Sequence, residues 1–249
     1  MKRILLVSLF AWSAGLLAQD RIPAGTILPV RLNTSISSAK SKPGQVITAR
    51  IMQAVPLAQG RKIRAGARVV GHVVDVTPAM NGAAGKIFFQ FDKLVVSKET
   101  IPVVTNLRAL ASPLEVEEAE LPYWTPDRGT PSTVITTVQI GGDEVVYRGG
   151  GPVAKGVEVV GEPVPDGVLA RARAKAGTEC RGAVEGNDRP QALWVFGSDA
   201  CGMFSYPRVT ITHAGRTDPM GQIVLTSTDG DVNVRSGSGM LLRVNSGNR

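Results

Sequence analysis

The chain has 249 residues, of which 43% are apolar and 20% charged, and its Lys and Arg outnumber Asp and Glu by 28 to 21, a formal net charge of +7. That length accommodates one large β domain or two modest ones, and the apolar share can bury a real core, which excludes a disordered tail. The positive excess favours anionic surfaces such as nucleic acid, lipopolysaccharide or acidic wall polymers, and it speaks to association, not to fold.

At the start of the chain, Lys2 and Arg3 precede an apolar stretch from Ile4 to Leu17, and Ala18 is a small residue at a plausible cleavage point, with Ala14 as its rival. A membrane anchor needs about 20 apolar residues, and this stretch is broken by Ser8, Ser13 and Gly15. The pattern predicts a signal peptide over 1–18 and no transmembrane helix after cleavage. The mature protein is then exported, to the periplasm or the outer envelope of a bacterium. Cleavage removes Lys2 and Arg3, so the +7 becomes +5 and the mature chain stays basic.

The mature sequence reads as strands almost throughout, an all-β barrel or sandwich of short strands in one or two β modules. Gln45 to Val55, "ARVVGHVVDV" from Ala67 and "KIFFQFDKLVV" from Lys86 are rich in β-branched and apolar residues and bounded by Gly, Pro or Asn. Gly25 and Gly66 each follow Ile-x-Ala before such a run, where a positive φ lets the chain turn sharply into a strand. From Ser112 to Pro131 the character changes to acidic residues, prolines and aromatics, predicting a linker or long excursion over 112–131. Further strand candidates follow at 134–140, 145–148, 153–160, 192–196, 208–213, 222–227 and 240–244. The division expected is a β domain over 22–111 and a disulfide-pinned β module over 132–249, although these later strands could equally complete one larger module.

The segments "IPAGTILPVRLNTSIS", "KPGQVITARIMQAV", "IRAGARVVGHVVDV" and "GKIFFQFDKLVV", in that order over Ile22 to Leu110, resemble the β-barrel domain of the conjugation and type IV secretion scaffold (TrbI-like) family. That resemblance implies a β scaffold in an envelope assembly. Members of the family usually carry a cytoplasmic tail, a membrane helix and a proline-rich stalk before the barrel, whereas here the barrel-like region directly follows the signal-like segment. The C-terminal region resembles β modules of uncharacterised secreted bacterial proteins, which adds no chemistry.

Cys180 and Cys201 are the only cysteines, and in an exported chain a lone pair is most simply a disulfide. Closing that loop contributes roughly 3 kcal/mol in the chain-entropy account. Between them, "ALWVF" predicts a small core holding Trp194 or Phe196. The candidate catalytic groups do not assemble into a recognisable set. His72 sits inside a valine-rich strand, His213 lies near Asp218 without a nucleophile elbow, and "RSGSGM" around Ser238 lacks the GxSxG spacing. Asp229, Asp231 and Asn233 alternate as calcium ligands would, but Asp-Gly is also a hairpin signature. The sequence therefore predicts no enzyme, no metal and no cofactor.

The remaining constellation is basic. Arg171, Arg173 and Lys175 alternate with alanine and share one face if the segment is a strand, and "GRKIRAGAR" adds Arg61, Lys62, Arg64 and Arg68. These seven are the candidate anion contacts, weighed against the plainer role of a charged strand edge. The function expected is an exported, non-enzymatic envelope scaffold or binding protein, with a polyanion- or glycan-binding protein as the alternative and a secreted hydrolase as a remote third. An envelope protein or an anionic polymer is the expected partner, nucleic acid is disfavoured, and self-association is left open.

Overall fold

The computed structural model describes residues 22–120, 122–123, 134–137, 145–148, 153–155, 158–161, 192–197 and 200–246. Ten strands form the main sheet: β1 Ile27–Leu32, β2 Val46–Ile51, β3 Arg68–Thr77, β4 Lys86–Val96, β5 Glu99–Pro102, β6 Thr105–Ala111, β7 Gly202–Phe204, β8 Val209–His213, β9 Ile223–Ser227 and β10 Gly239–Val244. Their order is β7-β6-β10-β1-β2-β3-β4-β9-β8, with β5 added to β4. All pairings are antiparallel except that of β7 with β6, which is parallel. The two ends of the sheet meet, because the Leu107 N–H of β6 donates to the carbonyl of Ala214 just beyond β8 at 2.9 Å. The result is an all-β, nearly closed barrel in which the segment from 202 to 244 supplies strands to the same sheet as the segment from 27 to 111.

The strands form where the sequence alternates. In β2, Ile47, Ala49 and Ile51 point inward while Val46 and Arg50 face out, the period of two expected of a half-buried strand. In β4 the inward set is Ile87, Phe89, Phe91 and then Leu94, a change of parity that a bulge explains. Val70 pairs with Lys93 and Gly71 with Phe91, so Asp92 is the extra residue, and one extra residue flips every side chain beyond it to the other face. Gly71 is required at this bulge, since a Cβ there would lie 1.9 Å from the Gln90 carbonyl oxygen. Gly25 and Gly66 hold φ of 89° and 85° at the turns into β1 and β3, as the paired Ile-x-Ala-Gly motifs predict.

Two cores result. The barrel interior is filled by Leu28, Val30 and Leu32 of β1 together with the inward residues of the other strands. A second core lies outside the wall, where Ile27, Ala109, Ala111 and Leu241 are covered by Trp194, Phe196 and Phe204 and by Val116 of helix α1, Pro113–Glu120. This double cover explains why every residue of β6 is buried. Trp194 and Phe196 meet edge-on at 6.2 Å, in the small core that the "ALWVF" run predicts. Trp194 sits at a hairpin tip with φ of 60°, a left-handed conformation costly for an L-residue and sustained here by complete burial.

Outside the main sheet, Ile36–Ser37 pairs with Asn233–Val234, Val55–Pro56 pairs with Lys62–Ile63, and five strands between Pro122 and Gly161 make a separate small sheet. The Asp229-Gly230 turn does not form the hairpin that its sequence suggests, because Asn233–Val234 leaves β9 and pairs instead with Ile36–Ser37. Among the described residues no helix is long and apolar enough to cross a membrane.

Candidate anion-binding face

The register of the first three strands assembles the site. Arg31 of β1 lies opposite Arg50 of β2, and Arg50 lies opposite Arg68 of β3. Because the alternate residues of each strand fill the barrel interior, all three arginines share the outer wall. Directly opposed residues have Cβ atoms about 4.5–5.5 Å apart, so three cations line up over two strand spacings. Like charges directly opposite one another on adjacent strands disfavour the sheet. Arg50 and Arg68 are exposed, and neither is paired with an acid among the described residues.

The hairpin between β2 and β3 extends this row at the same end of the barrel. Ile63 is buried and anchors it, while Arg61, Lys62 and Arg64 are exposed around it. Lys98, in the turn between β4 and β5, lies at that end too. Arg31 closes the other side of the row: its guanidinium carbon stands 5.3 Å from the centre of the Trp194 ring, a cation–π contact. Gly239 makes room for the indole, as a Cβ there would come within 3.1 Å of Trp194. The apolar and the basic halves of the outer wall therefore meet at Arg31.

The structure brings Arg61, Lys62, Arg64 and Arg68 to one end of the barrel and adds Arg31 and Arg50, which no local run of basic residues marks. Arg171, Arg173 and Lys175 lie outside the described residues, as does Cys180. Cys201 is buried and is not a free thiol.

The other polar candidates are occupied in the architecture. The two nitrogens of His213 face the Gln222 carbonyl at 2.6 Å and the Asp218 carbonyl at 3.3 Å, with the Thr217 hydroxyl at 3.2 Å. His213 thus braces its own loop, and what it meets at Asp218 is the backbone and not the carboxylate. His72 Nδ1 lies 3.0 Å from Asp92 on the outer wall. Asp229 pairs with Arg208 at 3.2 Å. Asp231 accepts from the Ala79 N–H at 2.9 Å and from the Ser38 hydroxyl at 2.7 Å, and these two bonds, the backbone one foremost, hold its carboxyl below the usual carboxylate range. Among the described residues no group of three or more His, Cys, Asp or Glu could hold a metal ion. No family model, no curated protein and no solved structure matches this chain.

Proposed function

We propose that this protein is an exported, non-enzymatic binding module of the cell envelope that docks an anionic polymer on the end of the barrel carrying Arg50, Lys62, Arg64 and Arg68. The observation that carries the reading is the register-matched row Arg31–Arg50–Arg68. A sheet gains nothing from opposing like charges on adjacent strands, whereas a polyanion that neutralises them turns the repulsion into attraction. The order of sequence segments over Ile22 to Leu110 that resembles the secretion-scaffold family supports an envelope setting, and the signal-like opening supports export. A scaffold that holds its place by charge needs no catalytic set, and both histidines serve neighbouring structure instead.

Heparin serves as the probe. The double variant Arg50→Ala with Arg68→Ala is compared with Lys42→Ala with Lys86→Ala, which removes the same charge from exposed positions at the opposite end of the barrel. The arginine pair is expected to elute from immobilised heparin at distinctly lower salt, and the lysine pair close to the parent. Equal shifts for the two variants would reduce the effect to net charge and end the proposal.

A further inference from the structure

At the end of the barrel opposite the arginine row, a cavity of about 440 Å³ opens between the Ser35–Gln45 segment and Asn233–Arg235. A second cavity of about 260 Å³, which includes Tyr206 and Ser112, adjoins it through Asn233 and Arg235. The larger one offers more donors than acceptors: Asn233 gives its amide to the Asp231 carbonyl at 3.4 Å and keeps its Oδ1, and the other groups can be followed bond by bond. Ser35 Oγ accepts the Ser236 N–H at 2.9 Å, Ser41 Oγ accepts the Ser37 N–H at 3.0 Å, and Ser37 Oγ accepts the Ala39 N–H at 3.3 Å. A hydroxyl that accepts from the backbone still has its own proton to give. No donor bond from these three hydroxyls is made to another described residue, and Ser37 and Ser41 are only 8% and 7% exposed, which fixes their positions. Gln45 spends its carbonyl on the Lys42 N–H at 3.3 Å, leaving its amide hydrogens.

Two cations complete the cavity. Lys40 and Arg235 line it, no acidic residue does, and neither cation has an ion-pair partner among the described residues. The nearest carboxylate in sequence, Asp231, does not line the cavity, and its Oδ1 is held by Ser38 and Ala79. Arg235 is held from behind: its carbonyl accepts the Ser238 hydroxyl at 2.6 Å, and that hydroxyl lies 2.7 Å from the Tyr206 hydroxyl. A pocket of hydroxyl donors with two cations and no acidic lining residue lacks only an acceptor that carries negative charge.

We infer that this cavity binds an oxyanion group, a phosphate monoester or a carboxylate, carried on a small polar molecule. Charge-assisted hydrogen bonds from a guanidinium or ammonium to such oxygens are the strong ones, and the volume falls in the range of small-molecule sites, with room for more than the anion itself. The site is separate from the arginine row, so either can fail without the other.

The test is a chemical-shift titration of the labelled full chain with sodium phosphate and, separately, sodium acetate, at ionic strength held constant with sodium chloride. Saturable shifts confined to residues 35–45 and 233–235 are expected. The anion that binds more tightly identifies a phosphate or a carboxylate ligand. Lys40→Met with Arg235→Met should weaken that binding tenfold or more, while Arg50→Ala with Arg68→Ala leaves it unchanged. Lys40→Met alone, on an exposed loop, should move affinity in the same direction without touching the fold. Shifts that do not saturate with either anion, or an affinity equal in the parent and the Lys40 and Arg235 variants, would overturn the inference.

Discussion

Replacing Arg50 by Glu should make the protein more stable and a poorer ligand for polyanions. Arg50 stands between Arg31 and Arg68 in the sheet register, so one substitution turns two like-charge neighbours into two opposite-charge ones. If the charged ends were as close as the Cβ atoms, about 5 Å, each contact in water would swing from roughly +0.8 to −0.8 kcal/mol, an upper bound of about 3 kcal/mol for the two before screening. Exposure and salt reduce this sharply. Measured surface pairs contribute ~0.2–1 kcal/mol each, and Arg31 already leans on Trp194 at 5.3 Å, so a net gain of about 1 kcal/mol is the working figure. For a chain of this size that is an increase of about 2–4 °C in Tm. Thermal unfolding at low salt and again in 1 M sodium chloride, where the Debye length is about 3 Å, measures the effect, and the gain should largely vanish at high salt. Retention on heparin should fall in the same variant. A loss of stability at low salt, or a gain of the same size at both salts, would refute the reasoning that these arginines repel one another across the strands.

Other parts of the fold make their own predictions. Gly71→Ala should destabilise by roughly 3 kcal/mol, read by thermal or urea unfolding, since the added Cβ meets backbone atoms of Gln90 and Phe91 at 1.9 and 2.8 Å and the two strands must part; a melting curve matching the parent would contradict the bulge geometry. Trp194→Ala should cost about 3–5 kcal/mol and remove much of the near-ultraviolet circular dichroism, because the indole is fully buried between Arg31, Gly239 and Phe196. Peptide mapping without reductant should recover Cys180 and Cys201 in one cross-linked pair, and two alkylatable thiols in the native protein would remove the disulfide from the account. Burial, partly opposed by its bond to Ser238, pushes the Tyr206 phenol above its ordinary value. Its stabilising contribution is therefore complete below the unfolded-state value near 10 and is lost as pH rises through the higher folded one. Tyr206→Phe should flatten that alkaline decline in a pH series of unfolding curves.

Much of the secondary structure can be read from local pattern. The valine-rich and phenylalanine-rich runs become β3 and β4 almost residue for residue, because alternation and bounding Gly, Pro and Asn are local signals. The two Ile-x-Ala-Gly turns behave likewise, each glycine at positive φ. Asp229-Gly230 misleads for a physical reason: a turn dipeptide specifies a reversal but not the partner, and the partner here is a pair of residues almost two hundred positions earlier. Pairing over such distances also builds the barrel, since β10 at the far end of the chain lies between β1 and β6.

The same distinction governs the arginine face. Arg61, Lys62, Arg64 and Arg68 form a basic run that any reading of the chain picks out, because proximity in sequence guarantees proximity in space. Arg31 and Arg50 are single cations in apolar strands, 19 residues apart, and nothing local marks them. They join the set only because β1, β2 and β3 pair without a bulge between them, Leu32 with Ala49 and Ala49 with Val69. A bulge would have changed that, as it does at Asp92, where one extra residue turns Leu94 inward. One added residue in β2 between Ala49 and Arg50 would send Arg50 into the barrel among Val30, Ile47 and Val69, where an unpaired charge is prohibitive. The row of charges is thus a consequence of the core: the interior residues fix the register, and the register sets three arginines side by side on the outside.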